Sequence, residues 1–366
     1  MPGRILATAD LDSAGLDALR ALGEVESASY RERRRLLRGE DLVGELRGVS
    51  VFVTEIDLVD IEVLLDSPDL RAVVSCRGNP VNVSVDACTA CGVAVLHTPG
   101  RNAEAVADLT LAFFLMLLRK LGSGTRYLAD NPGEAGDMAR LGRGYAQLRG
   151  RELGGRSVGL VGFGAVGRAV ARRLRGFGTR VRVFDPLLDE REALRAGVEP
   201  VELDELLGRS DIVSLHAAVT EESRGLIDAG RLARAKPGAL LVNTARAALV
   251  DERALADALD SGQLAGAAVD TFSVEPPGPD HPLVGRDDVL TTPHIGGNTS
   301  DVSSHQGRIA ARGVEALLRG KRPDTLCNPE VLDEFDWERP RPVPSEERLA
   351  ALRSAPGPAV SDLQRG

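Results

Sequence analysis

Three residues in the second half of the chain have the types and placement for proton and carbonyl chemistry: Arg246, Glu275 and His294. They lie in the segments VNTARAALVDERAL (Val242 to Leu255), AAVDTFSVEPP (Ala267 to Pro277) and TTPHIGGNT (Thr291 to Thr299), each of which follows or opens on a strand pattern. In an open α/β sheet, ligands bind outside the carboxyl ends of the strands, where all three would fall. A cation can hold and polarise a carbonyl, and an imidazole can exchange a proton with the oxygen as it becomes an alkoxide. A carboxylate can orient that imidazole and favour its charged form. Taken singly, each has a plain reading as a surface arginine, a strand-end glutamate or a loop histidine. Of the other histidines, His216 and His97 also follow strands, whereas His281 and His305 have no such placement.

What such a set would work with is indicated by the stretch from Ser157 to Asp185, SVGLVGFGAVGRAVARRLRGFGTRVRVFD. A short apolar run (Val158, Leu160, Val161) is followed by Gly162, Gly164 and Gly167, and then by Ala169, Val170 and Leu174 at helical spacing. A second strand, Val181 to Phe184, ends on Asp185, which stands 18 positions (185 − 167) beyond the third glycine. This is the strand, tight turn and helix that grip a dinucleotide. Gly162 permits the turn, Gly164 lets the pyrophosphate approach the backbone, and Gly167 lets the helix approach its strand, with the helix N-terminus facing the phosphates. Asp185 can accept hydrogen bonds from the adenosine ribose, and its charge would repel a 2′-phosphate, so the expected cofactor is NAD rather than NADP.

The remaining elements must position these two sets. At 366 residues, with 43% hydrophobic content, the chain is long enough for two domains. Against 45 basic residues stand 54 acidic ones, a formal charge of −9, which makes nucleic acid and anionic membranes poor partners. The longest apolar run, Leu111 to Leu118, falls far short of the ~20 residues that span a bilayer. The chain opens without a charged-then-apolar leader, and a cytoplasmic protein is expected. Cys76, Cys88, Cys91 and Cys327 do not make a disulfide framework. Cys88 and Cys91 have CxxC spacing but no second Cys or His pair at ligand distance, so no metal site is expected.

Strand patterns at Ile5 to Ala9, Val25 to Ala28, Val51 to Thr54, Ala72 to Cys76 and Val93 to His97 alternate with helical ones, as in a small parallel sheet covered on both faces. Ala103 to Lys120 predicts a long helix apolar nearly all the way round, which suits a position between domains or between subunits. From Asn131 to Gly155 no clear element is visible. After Asp185 the alternation resumes through strands at Ile212, Ala239, Ala267 and Val289, and a helix over Ser303 to Leu318 returns the chain to the first domain. The expected architecture is α/β, two doubly wound parallel-sheet domains, with a Rossmann NAD-binding domain inserted in a flavodoxin-like substrate domain. Its boundaries are 1–100 for the first part of the substrate domain, 101–296 for the NAD-binding domain, 297–328 for the returning segment and 329–366 for a poorly ordered tail with at most a short helix near Glu346 to Leu352.

From about Ser50 to Thr325 the sequence resembles the D-isomer-specific 2-hydroxyacid dehydrogenases, which include phosphoglycerate, glyoxylate and hydroxypyruvate members. The resemblance rests on GRNAEAVADLTLAFFLMLLRK, on the glycine motif with Asp185, on SLHAAVTEES around His216, and on the three strand-end segments. It implies Arg246, Glu275 and His294 as the catalytic triad. It implies cofactor contacts at Gly162, Gly164, Ala165, Val166, Gly167, Asp185, His216, Ala217, Ala218, Thr244 and Asp270, the last at the nicotinamide carboxamide, and a homodimer formed through the coenzyme domains. Ala247 stands where the family usually has glycine, and Ala218 where it often has proline. The loop Cys76 to Asn82 departs further, with Val81 where many members have Asp. In the family this loop binds the substrate carboxylate, which implies Arg77, Gly78 and Asn79 as substrate-binding residues together with Arg246.

The reading is an NAD-dependent dehydrogenase of a small D-2-hydroxy or 2-oxo acid. Arg77, with a planar fork suited to carboxylate or phosphate, is expected where the first domain meets the active-site cleft, and would read a second anionic group; alternatively it points to solvent or pairs with an acid. Two rivals are a dehydrogenase of an inorganic anion such as phosphite, and a dinucleotide-sensing corepressor. Formate dehydrogenases pair the histidine with glutamine, and Glu275 argues against that reaction.

Overall fold

The computed structural model describes residues 3–360 and divides into two units. One is built from both ends of the chain, up to Arg101 and from Thr299 onward; the other comprises Asn102–Asn298.

The first unit holds five parallel strands, β1 (Arg4–Ala7), β2 (Glu24–Ser27), β3 (Val49–Thr54), β4 (Ala72–Ser75) and β5 (Ala94–His97), in the order β2-β1-β3-β4-β5. The central strands are short apolar runs buried on both faces, as a sheet with helices on both sides requires. Edge strand β2 alternates acid with small residues and stays largely exposed, which discourages pairing with another chain. The carboxyl ends of the strands are laced together by Asp57. Its buried carboxylate accepts from Thr8 Oγ1 (2.5 Å), Thr54 Oγ1 (2.9 Å) and the N–H of Leu37 (2.7 Å).

The proline-rich composition after Pro329 predicts poor order, yet the described part of this segment lies on the first unit. Phe335 and Trp337 pack against the cluster around Ile5, Val53 and Val314, and Leu349 and Leu352 against that around Phe52 and Cys88. The Arg341 guanidinium donates to the carbonyls of Leu64 (2.7 Å), Ser67 (2.9 Å) and Pro68 (3.3 Å), in the turn that follows the helix Ile61–Leu65. A few apolar anchors, Arg341 and the Arg353–Glu62 ion pair hold a chain whose average composition argues against order. A helix does form, over Glu346–Ser354; residues 361–366 of the expected tail lie outside the described residues.

The second unit is a seven-stranded parallel sheet of β6 (Ser157–Val161), β7 (Arg180–Phe184), β8 (Glu199–Pro200), β9 (Ile212–Leu215), β10 (Ala239–Asn243), β11 (Leu264–Val269) and β12 (Val289–Thr291), in the order β12-β11-β10-β9-β6-β7-β8. The order reverses between β6 and β9, which opens a crevice at their carboxyl ends. The helix Ala165–Leu174 buries Gly167, Val170, Ala171 and Leu174, spaced three, four and seven apart, against this sheet. Burial of Val158, Leu160 and Val161 from β6 contributes about 1.5–3 kcal/mol each.

The helix Ala103–Leu118 packs on the helix Ala165–Leu174 and on β10 and β11, so its own unit covers most of its apolar surface. Beyond it, where glycines 122, 124, 142 and 144 obscure any helical signal, the structure forms two further helices, Leu121–Asp130 and Met138–Gln147. Asp137 caps the second through the N–H of Arg140, and the Tyr127 hydroxyl joins the pair by donating to the carbonyl of Arg140 (2.8 Å). Leu128, Met138, Leu141 and Tyr145 on these helices are exposed.

Candidate active site

The glycine turn leaves β6 at the point where the strand order reverses. Gly162 has φ +97°, and a Cβ there would lie 2.5 Å from the N atom of Ala217, so only glycine fits between the ends of β6 and β9. Gly164 faces open space, with no protein atom within 4 Å of where its Cβ would stand, and the next residue begins the helix Ala165–Leu174. A bare backbone edge ahead of unsatisfied helix N–H groups is a cradle for a pyrophosphate, and the residues present fit a dinucleotide. Asp185 ends β7 as expected. Its Oδ2 accepts from the N–H of Phe163 (2.6 Å) and its Oδ1 from the N–H of Leu187 (2.8 Å), so it also fixes the shape of the glycine loop.

His216 leaves β9 beside Gly162, with its N–H donating to the carbonyl of Val161 (2.7 Å) and its Nε2 3.0 Å from Ser214 Oγ. Its Nδ1 is buried and meets no hydrogen-bond partner among the described residues. Desolvation pushes its pKa down to about 3, so the ring is neutral across the physiological range. Ala217 and Ala218 continue that loop. Thr244 follows β10, buried, and shares a 2.9 Å hydroxyl contact with Thr110.

Arg246 stands just past β10 in an extended conformation before the 3₁₀ turn Ala247–Leu249. Asn243 brackets it, donating through Nδ2 to the Arg246 carbonyl (2.9 Å) and accepting through Oδ1 from the N–H of Ala245 (3.0 Å). The guanidinium is half-buried; burial lowers its pKa and the Glu275 carboxylate opposes that shift, so the cation persists beside an acid. Glu275 Oε1 accepts from the N–H of Phe272 (3.0 Å), and its Oε2 lies 2.8 Å from His294 Nδ1. This carboxylate fixes the ring's orientation and leaves Nε2 as the nitrogen for an incoming oxygen. The three strand-end segments thus bring Arg246, Glu275 and His294 together within one unit, with His294 exposed.

Asp270, for which the resemblance implies a nicotinamide contact, points its carboxylate into the His294 loop. Oδ1 accepts from Thr292 Oγ1 (2.6 Å) and the N–H of Ile295 (2.8 Å), and Oδ2 from the N–H of Gly296 (2.8 Å). The sequence offers no sign of this role, which depends on where the loop folds back.

Arg77, Gly78 and Asn79 belong to the first unit, in the loop after β4. The Arg77 carbonyl accepts from the N–H of Thr98 (2.9 Å), and the Gly78 carbonyl lies 2.8 Å from His97 Nδ1. Arg77 is only 8% exposed, which sets aside the reading of a side chain pointing freely to solvent.

Residues 111–296 match the family model described as the NAD binding domain of D-isomer specific 2-hydroxyacid dehydrogenases. The chain is 35% identical over 326 residues to YoaD of Bacillus subtilis strain 168, a protein assigned to the 2-hydroxyacid dehydrogenases, covering 88% of this chain and 92% of YoaD. It is 35% identical over 309 residues to the glyoxylate reductase of Thermofilum pendens, covering 83% and 89%. Among solved structures, the TT0316 protein of Thermus thermophilus superposes with a TM-score of 0.71 at 33% identity, over 88% of this chain and 99% of that one.

Proposed function

The chain belongs to the D-isomer specific 2-hydroxyacid dehydrogenases, which interconvert 2-oxo and D-2-hydroxy acids with NAD, and on that premise we propose that Arg246, Glu275 and His294 carry the reaction. When bound, NADH supplies the hydride that reaches C2 of the 2-oxo acid. Arg246 pairs with the substrate carboxylate and polarises the carbonyl. His294, protonated, gives the proton from Nε2 to the carbonyl oxygen, while Glu275 holds Nδ1 and balances the imidazolium charge. In oxidation the neutral ring takes the same proton back. The observation that carries this reading is the 2.8 Å contact of His294 Nδ1 with Glu275 Oε2, in a unit where Arg246 lies close enough to feel the same carboxylate. The relatives are 2-hydroxyacid dehydrogenases and reductases, which does not favour the phosphite dehydrogenase or the corepressor.

The test is oxidation of NADH with a panel of 2-oxo acids including glyoxylate, hydroxypyruvate and pyruvate. Turnover of at least one, lowered roughly 10²- to 10⁴-fold in His294→Gln, is the expected result. No turnover of any, or a His294→Gln variant as active as the parent, rejects the assignment.

The homodimer is part of the same proposal. Leu128 (68% exposed), Met138 (71%) and Tyr145 (78%) present apolar side chains to the surface from the helices Leu121–Asp130 and Met138–Gln147. A second copy is the proposed partner of these side chains, and light scattering of a Leu128→Glu/Tyr145→Glu variant should report a monomer.

A further inference from the structure

We propose that Glu252, Ser273 and His281 form a clamp that sets the position of Glu275 against His294, which makes Glu252 and His281 positioning residues for the proton transfer. The inference rests on the reading of Glu275 and His294 given above.

Among the described residues, Glu275 is bound to its own loop by one carboxylate hydrogen bond, from the N–H of Phe272 (3.0 Å). The distance to His294 is therefore set by where the loop 271–283 is held, and Glu252 meets it at two places, by hydrogen bonds at Ser273 and by a close polar contact at His281. Two residues before Glu275 (275 − 273), Ser273 donates from Oγ to Glu252 Oε2 (2.6 Å) and from its N–H to Oε1 (3.3 Å). Six residues after it (281 − 275), His281 Nε2 lies 3.4 Å from Glu252 Oε2.

The protonation pattern of this second imidazole follows from its neighbours. The N–H of Leu283 points at His281 Nδ1 (3.3 Å), so that nitrogen accepts and the ring proton sits on Nε2, facing Glu252. The ring also stands edge-on to Phe272, with centroids 5.2 Å apart, and Phe272 supplies the N–H that Glu275 accepts. The His281 and Glu252 side chains are 13% and 18% exposed, so their contact is largely shielded from water.

Glu252 is itself well anchored. It occupies the first turn of the helix Glu252–Asp260, directly after Asp251, whose Oδ1 caps the N–H groups of Arg253 and Ala254 (both 3.0 Å). An acid is favoured there by the helix dipole. The same helix starts six residues after Arg246 (252 − 246), so one carboxylate ties the loop of the substrate cation to the loop of the orienting acid. A displacement of about 1 Å at a reacting group can cost on the order of 100-fold in rate.

The experiment is steady-state reduction of the best 2-oxo acid across pH, with the full-length protein and the variants Glu252→Ala, His281→Phe and His281→Gln. His281→Phe keeps the ring against Phe272 but loses the donor, whereas His281→Gln can restore a donor to Glu252. Glu252→Ala and His281→Phe should lose roughly 10- to 100-fold in kcat with little change in KM for NADH. Their alkaline limb should also move to lower pH, because a Glu275 that has drifted balances the His294 imidazolium less well. His281→Gln should recover most of the rate and of the limb. If Glu252→Ala proves unstable, Ser273→Ala takes its place, with the same shift in smaller degree expected. A limb at the parental pH in both His281→Phe and the Glu252 or Ser273 variant, whatever the rate, overturns the clamp while leaving the triad intact. A parent protein with no 2-oxo acid turnover overturns the triad reading, and the clamp with it.

Discussion

The N–H of His294 donates to the carbonyl of Asp270 at 2.8 Å, and that bond helps hold His294 at φ +54°, in the left-handed region that non-glycine residues seldom occupy. Strain of order 1–3 kcal/mol at such a residue persists only when its surroundings determine it. Here Asp270 does so twice, through its carbonyl and through a carboxylate that gathers Thr292, Ile295 and Gly296.

Asp270→Asn should therefore act on catalysis through geometry. The amide can replace one acceptor oxygen but turns an NH₂ toward an N–H, so one backbone donor is left facing a donor, at a cost of about 1–3 kcal/mol. We expect kcat to fall by roughly 10- to 100-fold and Tm to fall by about 2–4 °C per kcal/mol. A variant with parental kcat and parental Tm would remove Asp270 from this role.

Glu275→Gln separates orientation from charge. The amide can still reach Nδ1, but it no longer balances the imidazolium, so reduction, which needs protonated His294, should fail at lower pH than in the parent. Oxidation, which needs the neutral ring, should begin at lower pH. His294→Gln should lose roughly 10²- to 10⁴-fold in kcat at the pH where the parent is fastest. Rate profiles in both directions decide the matter, and a Glu275→Gln profile superposable on the parent rejects the carboxylate's role.

The glycine turn, the acid at the end of β7 and the three strand-end residues are legible in sequence because each is dictated locally. Gly162 must be glycine where β6 meets β9, and Arg246, Glu275 and His294 follow strands whose apolar runs announce them. The roles of Asp270, Glu252 and His281 are not legible, since they depend on where loops fold back after the strands end, and no period or spacing encodes that. His281 in particular has no strand to mark it, and its partner Glu252 reads as an ordinary first-turn acid. The helices Leu121–Asp130 and Met138–Gln147 are hidden for a different reason. Glycines 122, 124, 142 and 144 lower their helical propensity, and packing such as Gly144 against the Tyr127 ring compensates.

Asp185 should enforce the preference for NAD(H), and its replacement shows why the choice of variant matters. Asp185→Ala removes the charge that would meet a 2′-phosphate, but it also frees the N–H groups of Phe163 and Leu187, so use of both cofactors should suffer. Asp185→Asn keeps an acceptor without the charge, and should narrow the NAD/NADP ratio of kcat/KM with less loss of NAD activity. Equal kcat/KM for the two cofactors in the parent would sink the assignment.

His216 should make the protein acid-sensitive. Its folded-state pKa is lowered from 6.5 to about 3, so between these values the unfolded chain binds a proton that the folded one does not. Stability should rise with pH through this window, and fall as pH drops from about 6.5 toward 3. Tm measured from pH 7 to pH 4 should fall less steeply in His216→Gln than in the parent, and parallel curves would show that the ring takes up its proton without opposing the fold.

The last expectation concerns Arg77 and the identity of the acid. Its loop is fixed through its own backbone: the Arg77 and Gly78 carbonyls are engaged by Thr98 and His97, and Asn82, accepting from Ser75 Oγ (2.7 Å), donates to the Asp57 carbonyl (3.0 Å). The donors of the Arg77 guanidinium fork suit a planar anion such as a carboxylate or phosphate. If it reads a second anionic group on the substrate, Arg77→Ala should raise KM for a 2-oxo acid with a distal carboxylate or phosphate by roughly 10- to 100-fold, the worth of about 1.5–3 kcal/mol for a hydrogen bond to charge. KM for glyoxylate should then stay within a few fold. Equal losses on both acids would assign Arg77 to the shared carboxylate or to the loop, and would leave the substrate monoanionic.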